Sequence, residues 1–185
     1  FAEELLRNPE KVVPSGVPAE MVGDLQTAAL TVGGNVSMET RLEYVPRFLT
    51  PDLSPKTADG IARGLAAEGD ARVLPVLEAL LANVTKHVES DPDSGTGPEI
   101  DHIRELILSV KLRSASDPRA FLRSLTADER AEMPVYAIRR AFTRQQVQEL
   151  LVDESLKDLR STIIRAIERM ALYEFERKYP DAKTG

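Results

Sequence analysis

Two histidines, His87 and His102, are the only imidazoles in the 185-residue chain. One of them completes Glu99-Ile100-Asp101-His102, the Glu-x-x-His spacing that sets two metal ligands on one face of a helix. A ferritin-like dimetal site needs that pair twice. Val84 stands three residues before His87, so the second pair is missing. The segment reads instead as a surface histidine beside carboxylates. Asp91 and Asp93 sit in a glycine-bearing stretch, as in a calcium loop. The twelfth position counted from Asp91 is His102, where such a loop needs Glu.

Other reaction chemistries find no support. No Gly-x-x-x-x-Gly-Lys-Ser/Thr spacing occurs, and no serine lies in a Gly-x-Ser-x-Gly elbow. Cysteine is absent, which excludes disulfides, thiolate nucleophiles and cysteine-held zinc or iron–sulfur groups. Asp128-Glu129 and Asp153-Glu154 fall at predicted helix starts, where carboxylates favour the helix dipole. Any two carboxylates brought together by a fold can act as acid and base, and nothing here singles out a pair. The sequence selects no catalytic residue, no cofactor and no metal ligand.

Binding residues are easier to point to. Arg139, Arg140 and Arg144 cluster near Tyr136 and Phe142, and Arg165 and Arg169 lie one helical turn apart. Tyr173, Phe175 and Tyr179 concentrate aromatic surface near the end of the chain. Arginine is enriched at protein interfaces because its planar fork bonds carboxylates and stacks. Arg139, Arg140, Arg144, Arg165, Arg169, Tyr173 and Tyr179 are therefore the candidate protein interface, with Phe175 expected in the core. The competing reading is solvated arginine paired with Glu132, Glu149 or Glu168.

These residues must be positioned by helices. Ser37, Ser54, Asp70, Asp117, Thr126 and Thr143 all have the character of N-caps, and Pro18, Pro55, Pro98 and Pro118 suit a first turn. Thr126-x-x-Glu129 and Thr143-x-x-Gln146 are capping boxes, preceded by Leu125 and Phe142. The apolar stripes read Met21, Val22, Leu25, Ala28 and Ala29 in a helix from Pro18 to the Gly33-Gly34 terminator. Met38, Leu42, Val45 and Phe48 follow in a helix that Pro46 bends or shortens. Ile61, Leu65 and Ala66 precede a helix end at Gly69. The later stripes begin at Val73, Ile100 and Leu156, the last in a long helix to Lys178 stopped by Pro180. Pro134 makes the segment after Thr126 one kinked helix or two short ones. Val32–Val36 is the best strand candidate, and its glycines spoil it.

The expected fold is all-α, a short irregular stack of antiparallel helix pairs with about eight or nine helices. Residues 1–17 are an N-terminal extension, 18–178 a single helical-pair domain with a mobile loop at 90–98, and 179–185 a tail. The first two pairs open about 36 residues apart, near the spacing of tetratricopeptide-like units, and Thr57-Ala58-Asp59 returns 69 residues later as Thr126-Ala127-Asp128. A plain irregular bundle would also give short helices joined by short turns.

Composition narrows the function classes. Hydrophobic residues make up 42% and aromatics 5%, without tryptophan, which suits helix-on-helix packing. No apolar run is long enough to span a bilayer, so no membrane insertion is expected. The net charge is −6, with −8 in residues 1–100 and +2 in residues 101–185. An acidic front half disfavours nucleic acid, while the arginine-rich back half suits an acidic protein surface. Asn35 and Asn83 lie in chance glycosylation sequons. The chain begins at Phe1 rather than Met, which fits removal of an organelle presequence and equally a start after some preceding segment.

The reading is a non-catalytic accessory subunit that binds protein partners in a larger assembly. The alternatives are a helical-repeat RNA-binding protein and an enzyme with a cryptic helical site. The cysteine-free chain of paired helices ending in Tyr173-Glu174-Phe175-Glu176-Arg177-Lys178-Tyr179-Pro180 resembles the small pentatricopeptide-like extra subunit of the euglenozoan mitochondrial ATP synthase catalytic head. The resemblance is one of size and helix-pair pattern over about 18–178, and it carries over no functional residue. It implies a mitochondrial, non-catalytic role in ATP synthesis and hydrogen ion transport, on the outside of the α subunits, with ATP chemistry left to neighbouring subunits. Without it, the composition reads as intracellular and soluble.

Overall fold

All six expected N-caps accept a backbone N–H at the start of a helix. Ser37 Oγ accepts from Thr40 N at 3.3 Å, Ser54 Oγ from Thr57 N at 3.2 Å and Asp70 Oδ1 from Arg72 N at 2.9 Å. Asp117 Oδ1 accepts from Ala120 N at 2.9 Å, Thr126 Oγ1 from Glu129 N at 3.2 Å and Thr143 Oγ1 from Gln146 N at 3.3 Å. Both capping boxes close, with Thr126 N donating to Glu129 Oε2 and Thr143 N to Gln146 Oε1, each at 2.8 Å. Most of these helices are too short to stand alone in water, so each starting bond matters.

The computed structural model describes residues 1–31, 36–51, 53–90 and 97–179. The Gly33-Gly34 terminator, most of the Val32–Val36 strand candidate, Asn35, most of the 90–98 loop with Asp91 and Asp93, and the tail from Pro180 lie outside the described residues. Among the described residues the chain is all-α, with twelve α-helices and no strand. Nine helices have seven or more residues and three are shorter.

The chain divides into two compact units, residues 1–107 and 108–185, where the sequence suggests a single domain over 18–178. The first unit holds α1 (Ala2–Arg7), α2 (Pro9–Val12), α3 (Ala19–Thr31), α4 (Met38–Tyr44), α5 (Pro55–Ala66), α6 (Leu74–Ser90) and the first part of α7 (Gly97–Ser114). Residues 1–17 are more than an extension: Leu5 and Leu6 of α1 are buried against α3. Gln26 Nε2 donates to the carbonyls of Leu5 and Leu6 at 3.0 and 3.4 Å, satisfying groups that a helix end leaves open. Glu3 Oε1 accepts from Ser37 N at 2.7 Å. Hydrogen bonds from Ser37 hold the Glu3 carboxyl below its ordinary pKa.

The stripe expected on α3 faces the wrong way. Met21 is 54% exposed and Leu25 42%, while Leu30, at 1%, is the buried residue. Apolar residues lie on two faces of this helix, and the face that packs on α1 and α5 carries Leu30 and Gln26. The main partners of α3 are α1 and α5, not the following α4, so its packing departs from a simple sequential pair. α5 packs in turn on α6. The expected stripes of α5 and α6 are buried at Ile61, Leu65, Val73, Leu77 and Leu80. Pro46 does shorten α4, which gives way to a 3-10 turn at Val45–Phe48. Gly69 has φ of 74°, the left-handed conformation that a helix end favours for glycine.

One buried cation shapes this unit. Arg41 is 2% exposed, and its Nε donates to Val36 O at 3.0 Å. Burial lowers its pKa, with the charge of Glu68 opposing. Gly64 makes the room: a Cβ there would stand 2.5 Å from Arg41 Nη1 and 3.2 Å from Leu30 O.

The second unit holds the end of α7, then α8 (Pro118–Ser124), α9 (Ala127–Ala131), α10 (Val135–Ala141), α11 (Arg144–Leu151) and α12 (Arg160–Lys178). Pro134 separates α9 from α10, so the segment after Thr126 is two short helices. A 3-10 turn at Glu154–Leu159 precedes α12, because Leu156 leaves helical geometry at φ −112° and ψ 18°. α10 and α11 both pack on α12, and Ile138, Val147, Leu150, Leu159 and Ile163 form the centre of the core. Thr57, Ala58 and Asp59 are the third to fifth residues of α5, whereas Thr126 is the cap of α9. The two copies therefore hold different helical positions.

Side chains stitch the short elements together. Arg130 donates to Arg123 O at 2.8 Å and Ser155 O at 2.9 Å. Asp153 accepts from Ser155 Oγ at 2.6 Å and from Arg123 Nη2 at 2.6 Å. Those bonds, from Ser155 first and Arg123 next, pull the Asp153 carboxyl from 3.8 down to about 2. A carboxyl depressed in the folded state contributes stability that is complete above about pH 4 and is lost as pH falls towards 2. Asp153→Asn is expected to be less stable than the parent at pH 6, with the difference vanishing near pH 2, as read by urea unfolding across that range.

Candidate functional site

The expected interface residues all lie in the second unit, and they do not form one cluster. Arg139 and Arg140 end α10. Arg140 lies over the Tyr136 ring, 5.9 Å from its centroid. Burial and the neighbouring Arg140 charge lower the pKa of Arg113, with Tyr136 opposing. Arg139 has a buried Nε without a hydrogen-bond partner among the described residues, which makes it part of the core edge rather than an open contact. Arg144 opens α11 and bonds Glu174 Oε2 at 2.6 Å. The expected partner Glu149 is instead taken by Arg119 at 2.7 Å. Arg144 is thereby committed to α12, within its own unit.

Arg165 and Arg169 are exposed on α12 and enter no ion pair among the described residues; Arg165 Nε reaches only Ser161 O, at 3.4 Å. They border a feature the sequence reading placed differently. Phe175, expected in the core, is 44% exposed. Tyr173, Tyr179, Leu172 and Ile164 are exposed as well. Phe175 and Tyr179 pack on each other with ring centroids 5.0 Å apart.

The pattern around α12 explains this. At about 100° per residue, Ile164, Leu172, Phe175 and Tyr179 fall within about 80° of one another. Thr162, Ile163 and Ala166 occupy a different side and are buried, with Ile167 and Met170 packed against the same core. The helix thus has two apolar faces, and its own unit uses one. Every residue from Leu172 to Tyr179 is exposed, so the last two turns run past the core. Tyr173 falls on the side of Thr162 and Ala166 and is exposed because it lies past the end of the core. An amphipathic pattern was legible in the sequence, but a second apolar face sharing the helix with the first was not.

A separate polar cluster lies in the first unit. Asp59 of α5 is 6% exposed and accepts from Arg63 Nη2 at 2.6 Å. His102 Nδ1 of α7 closes a short hydrogen bond with Asp59 Oδ1. Glu99, one turn before His102, has a buried Oε2 with no hydrogen-bond partner among the described residues. Together with Pro98 these groups line a shallow cleft of about 270 Å³. The expectation of a histidine beside carboxylates is met, but the carboxylate that matters is 43 positions away. Only the cap at Ser54, which fixes the phase of α5, pointed towards Asp59. Among the described residues no three histidine, aspartate or glutamate side chains are arranged to hold a metal ion. The bond between His102 and Asp59 holds the first part of α7 to α5.

No family model, no curated protein and no solved structure matches this chain. The geometry alone must therefore support any reading. For the polar cluster, His102→Ala is expected to lower stability by about 1–3 kcal/mol, because a buried carboxylate loses a hydrogen-bond partner. Chemical unfolding at pH 7 reads that loss.

Proposed function

We propose that this protein is a non-catalytic accessory subunit, and that it binds another protein in a larger assembly. The observation that carries the reading is the second apolar face of α12, with Ile164, Leu172, Phe175 and Tyr179 exposed together. Single exposed apolar side chains are ordinary, but an aligned set on one helix face is the mark of a contact surface. Tyrosine and phenylalanine are among the residues that carry interface energy, and Arg165 and Arg169 stand beside them. No helix among the described residues is long and apolar enough to cross a membrane, in keeping with docking rather than insertion.

The resemblance to the small accessory subunit of the euglenozoan ATP synthase head gives the first partner to try. On that reading the chain sits in the mitochondrion and serves ATP synthesis and hydrogen ion transport through the subunits it contacts. A bare apolar helix face on an all-α scaffold suits such a role, and the −8 charge of residues 1–100 weighs against an RNA groove.

The test is affinity purification of the tagged full chain from its native source, beside the variant Leu172→Asp/Phe175→Asp. The parent is expected to bring down a stoichiometric protein partner and the variant to lose it. Both substituted residues are exposed, so unfolding free energy should shift by no more than about 0.5 kcal/mol. Recovery of the parent as a free monomer would defeat the reading.

A further inference from the structure

We infer that the C-terminal half of α12 is a preformed docking helix, whose occupant is an apolar groove rimmed by carboxylates on a different protein. The inference rests on the binding role proposed above and adds the mode and chemistry of the contact.

Three observations carry it. Leu172, Phe175 and Tyr179 stand at i, i+3 and i+7, the anchor spacing of a helix laid into an apolar groove. Ile164 extends the same line two turns earlier. Residues 172–178 are already helical and Tyr179 caps the helix end, while every residue from Leu172 to Tyr179 is exposed, so binding need not pay to order the helix. The charges complete the pattern. Arg165 and Arg169 flank one side of the line, and Lys178, whose Nζ lies 5.5 Å from the Tyr179 ring centroid, flanks the other. Cations on both margins call for carboxylates on the opposing rim.

The same charges speak against a membrane surface. Glu168 lies within the apolar line and Glu176 on its margin beside the arginines. An anionic bilayer would repel both, whereas a protein groove can answer each with a donor. Interfacial helices draw their strength from a strongly basic face, which α12 lacks.

The experiment is site-specific photo-crosslinking of the full chain in extract from its native source. Phe175→p-benzoylphenylalanine probes the docking helix, and Leu25→p-benzoylphenylalanine probes the exposed face of α3 as the comparison. The expected result is an adduct from position 175 alone, mapped by mass spectrometry to an apolar groove flanked by Asp or Glu on another protein. Arg165→Glu/Arg169→Glu, checked for folding by circular dichroism, should weaken binding to that protein by about tenfold at low salt, and by less as salt rises. An adduct from position 25 alone, or one from 175 to a groove without carboxylates, overturns the docking helix and leaves the binding subunit standing. A self-adduct, or retention only on phosphatidylserine vesicles, overturns it in favour of a second copy or a lipid surface. Failure of both probes, with the chain sedimenting as a monomer, removes the binding reading as well.

Discussion

The buried stripe of α12 is the surface on which the second unit condenses. Thr162, Ile163 and Ala166 are covered, and Ile167 and Met170 extend the stripe by another turn. The helices packed on it have seven and eight residues, below the length at which a helix holds itself together in water. α10 and α11 persist because α12 removes Ile138, Val147 and Leu150 from solvent. Caps at Thr126 and Thr143 decide where the short helices begin, and α12 decides where they rest. A helix of 19 residues is longer than that core requires, and the excess leaves two turns with an apolar line facing water.

The first unit solves a different problem, that of polar groups enclosed between helices. Arg41 is accepted because Gly64 leaves room for its guanidinium and Val36 supplies a carbonyl. Asp59 is accepted because Arg63 and His102 answer its carboxylate from two helices. Buried charge costs more than its pairing returns unless its hydrogen bonds are met, so such groups fix geometry rather than add stability. His102 accordingly ties α7 to α5 through the carboxylate of Asp59.

Local chemistry was legible in the sequence to the extent that it was local. The six caps and the glycine at position 69 depend on a few neighbouring residues and stand as read, whereas Pro134 allowed one kinked helix or two short ones, and the structure has the two. Which face of a helix turns inward is a tertiary matter. Met21 and Leu25 read as a core stripe, yet Leu30 is the buried residue, on the side of α3 where Gln26 meets the end of α1. Phe175 read as core for the same reason: its periodicity is sound, but it belongs to a face that no described residue of its unit covers. The burial of Arg41 and the contact between Asp59 and His102 were not legible, since the Gly64 that makes room for Arg41 lies on α5 and His102 lies on α7. Among the expected interface residues, Arg165, Arg169 and Tyr179 border or join the open face of α12. Arg144 is tied to Glu174, Arg139 is half-buried, and Tyr173 continues the side of the buried stripe beyond the core.

A helix that serves its own core on one side and offers anchors on the other has a clear dynamic signature. Amide hydrogen exchange of the full chain, alone and in its native assembly, tests this most directly. The account predicts slow exchange over residues 162–170 in both states, because that stretch is held by the core. It predicts fast exchange over residues 173–179 in the isolated chain and marked slowing in the assembly. Slow exchange of residues 173–179 in the isolated chain, or no change on assembly, would contradict it.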